Sequence, residues 1–474
     1  MESQGILPTS SRRSQRTDHP LVLALHIAVG LALVAMLAYW GGAVRTGPLF
    51  VLGIAVLTTL LASAGYAAWW LFLSPLPGAT PRQAGSSIAL RQSIALLAVG
   101  AGLLQLVGAF WDEIWHRISG AGAAIDDFLW PPHLMIYGSM AIMSAFALGA
   151  LALVARGSGG LRERVRAEPL IGWLSLAAAY LALSGPSDLI WHQIYGRDIS
   201  AWSLPHLLLS GGSWLVMLLS VALLQSSTPR PHWRGLSGLQ VLDMLAILLI
   251  AIGTMFITVI LVSEWEGIAA LGGPDFNGNA RTAFWQRPEW LYPVILSTLG
   301  ILTSAVAIHT LRRAGAATLV MLAILALRLA LFTSFGLWDD AYGMSFTTQL
   351  LMLPPALALD AWYALSLRRA RTPLAASLLA ALAFFAVALP ALPLLQIYPR
   401  VTTATVPPML LGGLLLAPWA GWVGARVGDW LAGLGRDARE PIPLRGRPVW
   451  ATLAFLAALG LGALAFVATA APPA

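Results

Sequence analysis

Between residues 21 and 469 this chain returns again and again to runs of roughly 20 residues with almost no charge. In hydrocarbon no water is present to satisfy a backbone N–H or C=O, so such a run must close its hydrogen bonds within itself, as a helix does. At a rise of about 1.5 Å per residue, about 20 residues cross a bilayer core of about 30 Å. The runs predict thirteen spans, at 21–43, 50–73, 89–110, 134–155, 170–187, 207–225, 239–262, 290–311, 317–336, 348–367, 373–395, 407–425 and 449–469. The fold class that follows is all-α, a polytopic transmembrane helical bundle built from repeated helical hairpins. With 58% hydrophobic and only 10% charged residues among 474, a soluble core could not hide the apolar surface. The chain has no cysteine, which excludes disulfides, thiolate metal sites and cysteine nucleophiles.

The net charge of +7 comes from 28 basic residues, all of them arginine, scattered through short loops rather than gathered in a patch. That pattern is one of membrane topology, and no nucleic-acid partner is expected. Twenty-one arginines fall on one side, among them Arg91, Arg162, Arg164, Arg166, Arg312, Arg313, Arg426 and Arg447. Arg45, Arg117, Arg197, Arg281, Arg287 and Arg400 fall on the other. The positive-inside rule then places the N-terminus in the cytoplasm and the C-terminus outside, in a multi-pass protein of the cell membrane. The organisation reads as a tail at 1–20, two helices within 21–88, duplicated hairpins at 89–225, and further hairpins at 239–425 with an outer loop at 264–289. A basic loop at 426–448 and a last helix within 449–474 complete it.

Most acidic residues lie at the outer ends of the predicted helices, and two stretches there repeat. Residues 112–120 read Asp-Glu-Ile-Trp-His-Arg-Ile-Ser-Gly, residues 188–196 read Asp-Leu-Ile-Trp-His-Gln-Ile-Tyr-Gly, and six of the nine positions agree. Each is followed by an Asp, a Trp and a Pro-His pair that opens the next helix: Asp127, Trp130, Pro132-His133, and Asp198, Trp202, Pro205-His206. Asp112 with His116, and Asp188 with His192, stand four apart and so share one helix face. Proline suits the first helical turn, which puts His133 and His206 at the membrane edge. Each hairpin thus offers one carboxylate and two imidazoles, a donor set for copper, non-haem iron or zinc. An aromatic belt is the plainer account of Trp115, Trp130, Trp191 and Trp202. The other histidines, His19, His26, His232 and His309, show no partners in the sequence and read as structural or solvated.

Asp188-Leu-Ile-Trp191-His192-Gln193, then Arg197-Asp198 and Pro205-His206, resembles the metal-binding stretch of the membrane C subunit of copper membrane monooxygenases, the particulate methane and ammonia monooxygenases. The resemblance covers about residues 105–215. It implies copper held by Asp188, His192 and His206, with Gln193, Arg197 and Asp198 around the ligands, and a related triad of Asp112, His116 and His133. Asp127, Trp115 and Trp191 are the matching neighbours. A monooxygenase-like oxidoreductase acting on a small apolar molecule that arrives through the lipid is the first functional expectation, with other membrane subunits or an oligomer as partners. A transporter of metal ions or protons is the alternative, and a haem-binding electron carrier a third.

Inside the spans, Arg328 and Asp360 are the charges that demand partners, since an unpaired charge at the helix centre costs at least about 2.5–3.5 kcal/mol. Their similar depth on adjacent helices predicts an Arg328–Asp360 pair, and Asp243 near a helix start predicts a cap. No phosphate-binding loop, dinucleotide fingerprint, nucleophile elbow or His-Glu-x-x-His occurs.

Overall fold

A computed structural model describes residues 47–74, 86–118, 129–155, 159–195, 202–228, 239–266, 288–336, 349–365, 373–394, 401–434 and 442–470. The predicted span 21–43 and the tail before it lie outside the described residues, as does most of the outer loop 264–289. The described chain is helical throughout, with α1 (Gly47–Ala68) running into a π turn, then α2 (Ile88–Ile118), α3 (Pro131–Ala155), α4 (Leu161–Ala167), α5 (Pro169–Tyr195), α6 (Leu204–Gln225) and α7 (Val241–Glu266). There follow α8 (Leu291–Leu311), α9 (Ala316–Phe335), α10 (Leu353–Leu365), α11 (Pro373–Leu394), α12 (Val406–Gly433) and α13 (Arg447–Thr469). Among the described residues ten helices are long and apolar enough to cross a membrane. The protein is an all-α, multi-pass membrane bundle.

The helices α3, α5, α6 and α13 start one to three residues before the expected positions, with Pro131, Pro169, Pro205 and Pro448 in first-turn positions whose N–H groups would be orphaned in any residue. Helix ends differ. The apolar runs stop at residues 110, 187 and 425, yet α2, α5 and α12 continue to Ile118, Tyr195 and Gly433. A helix leaving the hydrocarbon loses nothing by carrying charge into the headgroup layer, so hydropathy marks the core and not the helix. This extension keeps Asp112 and Asp188 on helical backbone. The span expected at 348–367 is shorter, a 3-10 turn at Leu350–Met352 followed by α10, with Pro354 and Pro355 in its first turn. The seven-residue α4 was not foreseen. It lies in the loop of Arg162, Arg164 and Arg166, and Arg162 and Arg166 donate to Ser74 at the end of the π turn.

One continuous core joins α2, α3, α5 and α6 to α7–α12. At its centre is α8, buried along almost its whole length, and its main partner is α12. Glycines allow that approach: a Cβ on Gly424 would stand 2.6 Å from the Leu302 carbonyl, and one on Gly428 would stand 2.6 Å from the His309 Cβ. Small residues spaced four apart let two helix backbones meet in a membrane, where packing rather than water exclusion drives association. In contrast α13 packs chiefly on α2 and leaves most of its apolar surface facing outward.

Helix alternation puts the described arginines of the turns at one end. There Arg91 pairs with Glu168 at 3.1 Å, both buried, tying the start of α2 to the α4–α5 junction. Gln92 reaches Ser227 and the carbonyl of Ile442, joining α2 to the end of α6 and the approach to α13. Arg313 pairs with Asp243 of α7 at 3.4 Å. Asp243 also accepts the Gln240 N–H at 3.3 Å, so the expected cap is present alongside an ion pair the sequence did not announce.

Candidate metal centre

At the opposite end, α2 and α3 form a hairpin whose facing turns bring two of the predicted ligands together. His133 Nε2 lies 3.0 Å from Asp112 Oδ1, with both side chains mostly shielded. The local cause is an aromatic stack. Trp111 and Trp115 of α2 meet edge to face at 5.3 Å between centroids, Trp115 meets Trp130 at 5.7 Å, and Trp130 lies nearly parallel to the His133 ring at 6.1 Å. Edge-to-face pairs add about 0.5–1.5 kcal/mol each beyond area burial and fix ring planes, so the stack holds the imidazole towards Asp112. Met135, Phe335, Ala463 and Val467 close the cluster, which reaches α9 and α13.

The second half of the repeat meets the first through α3. Tyr137, one turn beyond His133, donates its hydroxyl to Asp188 Oδ2 of α5 at 3.4 Å, and the His133 and Tyr137 rings are 6.0 Å apart. His206 stands in the first turn of α6, which packs along α5. Trp202, just before that turn, is 1% exposed and donates its indole N–H to the carbonyls of Ile260 and Leu261 in α7 at 3.1 and 3.3 Å. Trp115, Trp130 and Trp202 are therefore interior side chains rather than a lipid-facing belt. Trp191 is partly buried near the end of α5.

Both i, i+4 pairs lie on helical backbone, His116 in α2 and His192 in α5. The side chains of His116, His192 and Gln193, with Asp127, Arg197 and Asp198, lie outside the described residues. Among the described residues no group of three or more His, Asp or Glu is placed to hold a metal. What the described part assembles is the Asp112–His133 half of the first triad and a Tyr137 contact to the carboxylate of the second. Tyr137 carried no signal in the sequence, because its partner is 51 residues away.

Two expectations elsewhere are corrected. Asp360 does not pair with Arg328. Its carboxylate accepts the backbone N–H groups of Gly315 at 3.0 Å, Ala317 at 3.4 Å and Thr318 at 2.8 Å, and the Thr318 hydroxyl at 2.7 Å. It thus caps α9 from a neighbouring helix, where the orphan N–H groups and the helix dipole favour a negative charge. Arg328 lies further along α9 and sets its guanidinium over the Phe332 ring at 5.2 Å. His309 is not without partners either: Tyr363 and Asp429 occupy its two ring nitrogens.

Comparison with family models, with curated proteins and with solved structures finds no match to this chain.

Proposed function

We propose that the chain is an integral membrane metal protein that holds copper at the His133 end of the bundle, in a monooxygenase-like oxidoreductase. The observation that carries this reading is the Asp112–His133 contact at 3.0 Å across the α2–α3 hairpin. It joins residues 21 apart in the sequence that the repeat had singled out as ligands, and it leaves His116 one helical turn from Asp112. The donor set fits the group: carboxylate oxygen with two imidazoles suits copper, iron or zinc, and the resemblance favours copper.

In this reading Asp112, His116 and His133 hold one metal, and Asp188, His192 and His206 the other. Bound copper would supply the redox chemistry with oxygen. The chain's own residues shape its surroundings. The Trp111–Trp115–Trp130 stack excludes water from one flank and fixes the His133 ring. Tyr137 orients the Asp188 carboxylate by hydrogen bond, the kind of outer contact whose loss lowers metal affinity by about 10–100-fold. The apolar flanks of the bundle admit a small apolar substrate from the lipid.

Elemental analysis of the purified protein tests the reading, beside the paired variants His116→Ala with His133→Ala and His192→Ala with His206→Ala. The expected result is one or two equivalents of copper, lost stepwise as each pair is removed. A protein that retains no metal after copper, iron and zinc have each been offered overturns it.

A further inference from the structure

The strongest feature outside the proposed metal centre lies at the other end of the bundle, around His309. This residue closes the last turn of α8 and is engaged on both sides. Its Nδ1 faces Asp429 Oδ1 of α12 at 3.3 Å, and its Nε2 meets the Tyr363 hydroxyl of α10 at 2.6 Å, the two rings edge to face. Three helices distant in sequence therefore converge on one imidazole. Gly428 makes the convergence possible, since any side chain there would strike His309 and keep Asp429 away.

The Asp429 side chain is half exposed and that of His309 is 13% exposed; Tyr363, near the end of α10, is partly buried and packs against the core. One turn earlier on the same helix, Asp360 is buried at the α9 N-terminus. A carboxylate accepts only, so His309 Nδ1 carries a hydrogen towards Asp429, and in the neutral form of the ring Nε2 is left to accept from the phenol. The charged groups beside this line are Arg312, 3.5 Å from Asp429, and Arg426, which also acts on that carboxylate. Ionisable groups in membrane helices are costly and characteristically form proton routes.

We propose that Tyr363, His309 and Asp429 form a proton-transfer relay at the arginine-rich end of the bundle, joining its interior to the water on that side. A proton reaching the Tyr363 oxygen from within lets the phenol O–H pass to His309 Nε2. The Nδ1–H then passes to Asp429, which releases it to water. Each atom gains one proton and loses one, and rotation of the hydroxyl with tautomer exchange of the ring restores the start. The reverse sequence carries a proton inward. The relay needs partners at both ring nitrogens and a carboxylate as the solvent-facing group, and both are present.

The test uses the full chain in phospholipid vesicles that enclose a pH-sensitive dye, with a potassium diffusion potential imposed by valinomycin. The expected result is proton flux above that of protein-free vesicles, falling to the protein-free level in His309→Gln. Tyr363→Phe keeps the ring packed against His309 and removes only the transferable proton, so it decides the matter should His309→Gln fail to fold; it too is expected to abolish flux. Wild-type vesicles no more permeable than empty ones overturn the proposal, as does undiminished flux in a folded Tyr363→Phe protein.

Discussion

Asp360 shows how a buried carboxylate is satisfied without a counter-ion. Four donors from the first turn of α9 and the residue before it surround it, and hydrogen bonds to a charged group contribute about 1.5–3 kcal/mol each in favourable cases. A salt bridge to Arg328 would have required the guanidinium to travel back along α9, since ten residues from Thr318 to Arg328 span about 15 Å of helix. The two charges are therefore energetically separate. Asp360→Ala is expected to lower stability by about 2 kcal/mol through loss of the cap, and Arg328→Leu to have its own independent effect. In a double-mutant cycle read by unfolding in mild detergent, a coupling within about 0.5 kcal/mol of zero is expected. A coupling several times larger would restore the ion pair and refute the cap as the main role of Asp360. At the proposed metal centre, Trp130→Leu keeps an apolar side chain but removes the ring face that lies against His133. Copper content measured at limiting metal is expected to fall while Asp112 and His133 remain present, as for loss of a residue that orients a ligand.

At the scale of helices, α8 and α12 carry the tightest constraint. The Cβ that Gly428 lacks would meet the Val306 carbonyl at 2.9 Å as well as His309, and backbone atoms do not yield as a side-chain tip does. Gly428→Ala is expected to destabilise the bundle by about 1–3 kcal/mol, as overpacking does in a close-fitted interior. Gly460→Ala on α13, where nothing stands within 4 Å, is the control and is expected to be neutral or slightly stabilising, given the helix propensity of alanine. Equal melting temperatures for the two variants in detergent would refute the close packing of α12 on α8. Helices of this kind were legible in the sequence because hydrocarbon imposes a minimum apolar length, and the starts were sharper than the ends because proline marks only starts. The partners were not legible. His309 looked solitary because Tyr363 is 54 residues away in the chain and Asp429 further still; neither stands at a helical spacing from it. Asp112 and His133 were legible because a repeated motif flagged both, independently of any contact between them.

At the scale of the whole molecule, the two ends are chemically unlike. One gathers Arg91, Arg162, Arg166, Arg312 and Arg313 with their carboxylate and carbonyl partners; the other presents Asp112, His133, Tyr137 and Asp188. The positive-inside rule would put the first end in the cytoplasm and the proposed metal centre outside, an orientation that we propose. The absence of native cysteine makes the assignment directly measurable, because any introduced thiol is the sole target of a maleimide. Leu129, 62% exposed beside Trp130, marks the histidine-bearing end, and Leu161, 46% exposed at the start of α4, marks the arginine-bearing end. With a membrane-impermeant maleimide on intact cells, Leu129→Cys is expected to label at once and Leu161→Cys only after permeabilisation. The opposite pattern would invert the bundle, placing the proposed copper ligands in the cytoplasm and the Tyr363–His309–Asp429 line on the outer face. Such an inversion would oppose the charge bias expected from the sequence, twenty-one arginines against six, because arginine resists translocation during insertion. The labelling pattern therefore fixes which compartment would supply the proposed metal and which would exchange protons with the proposed relay.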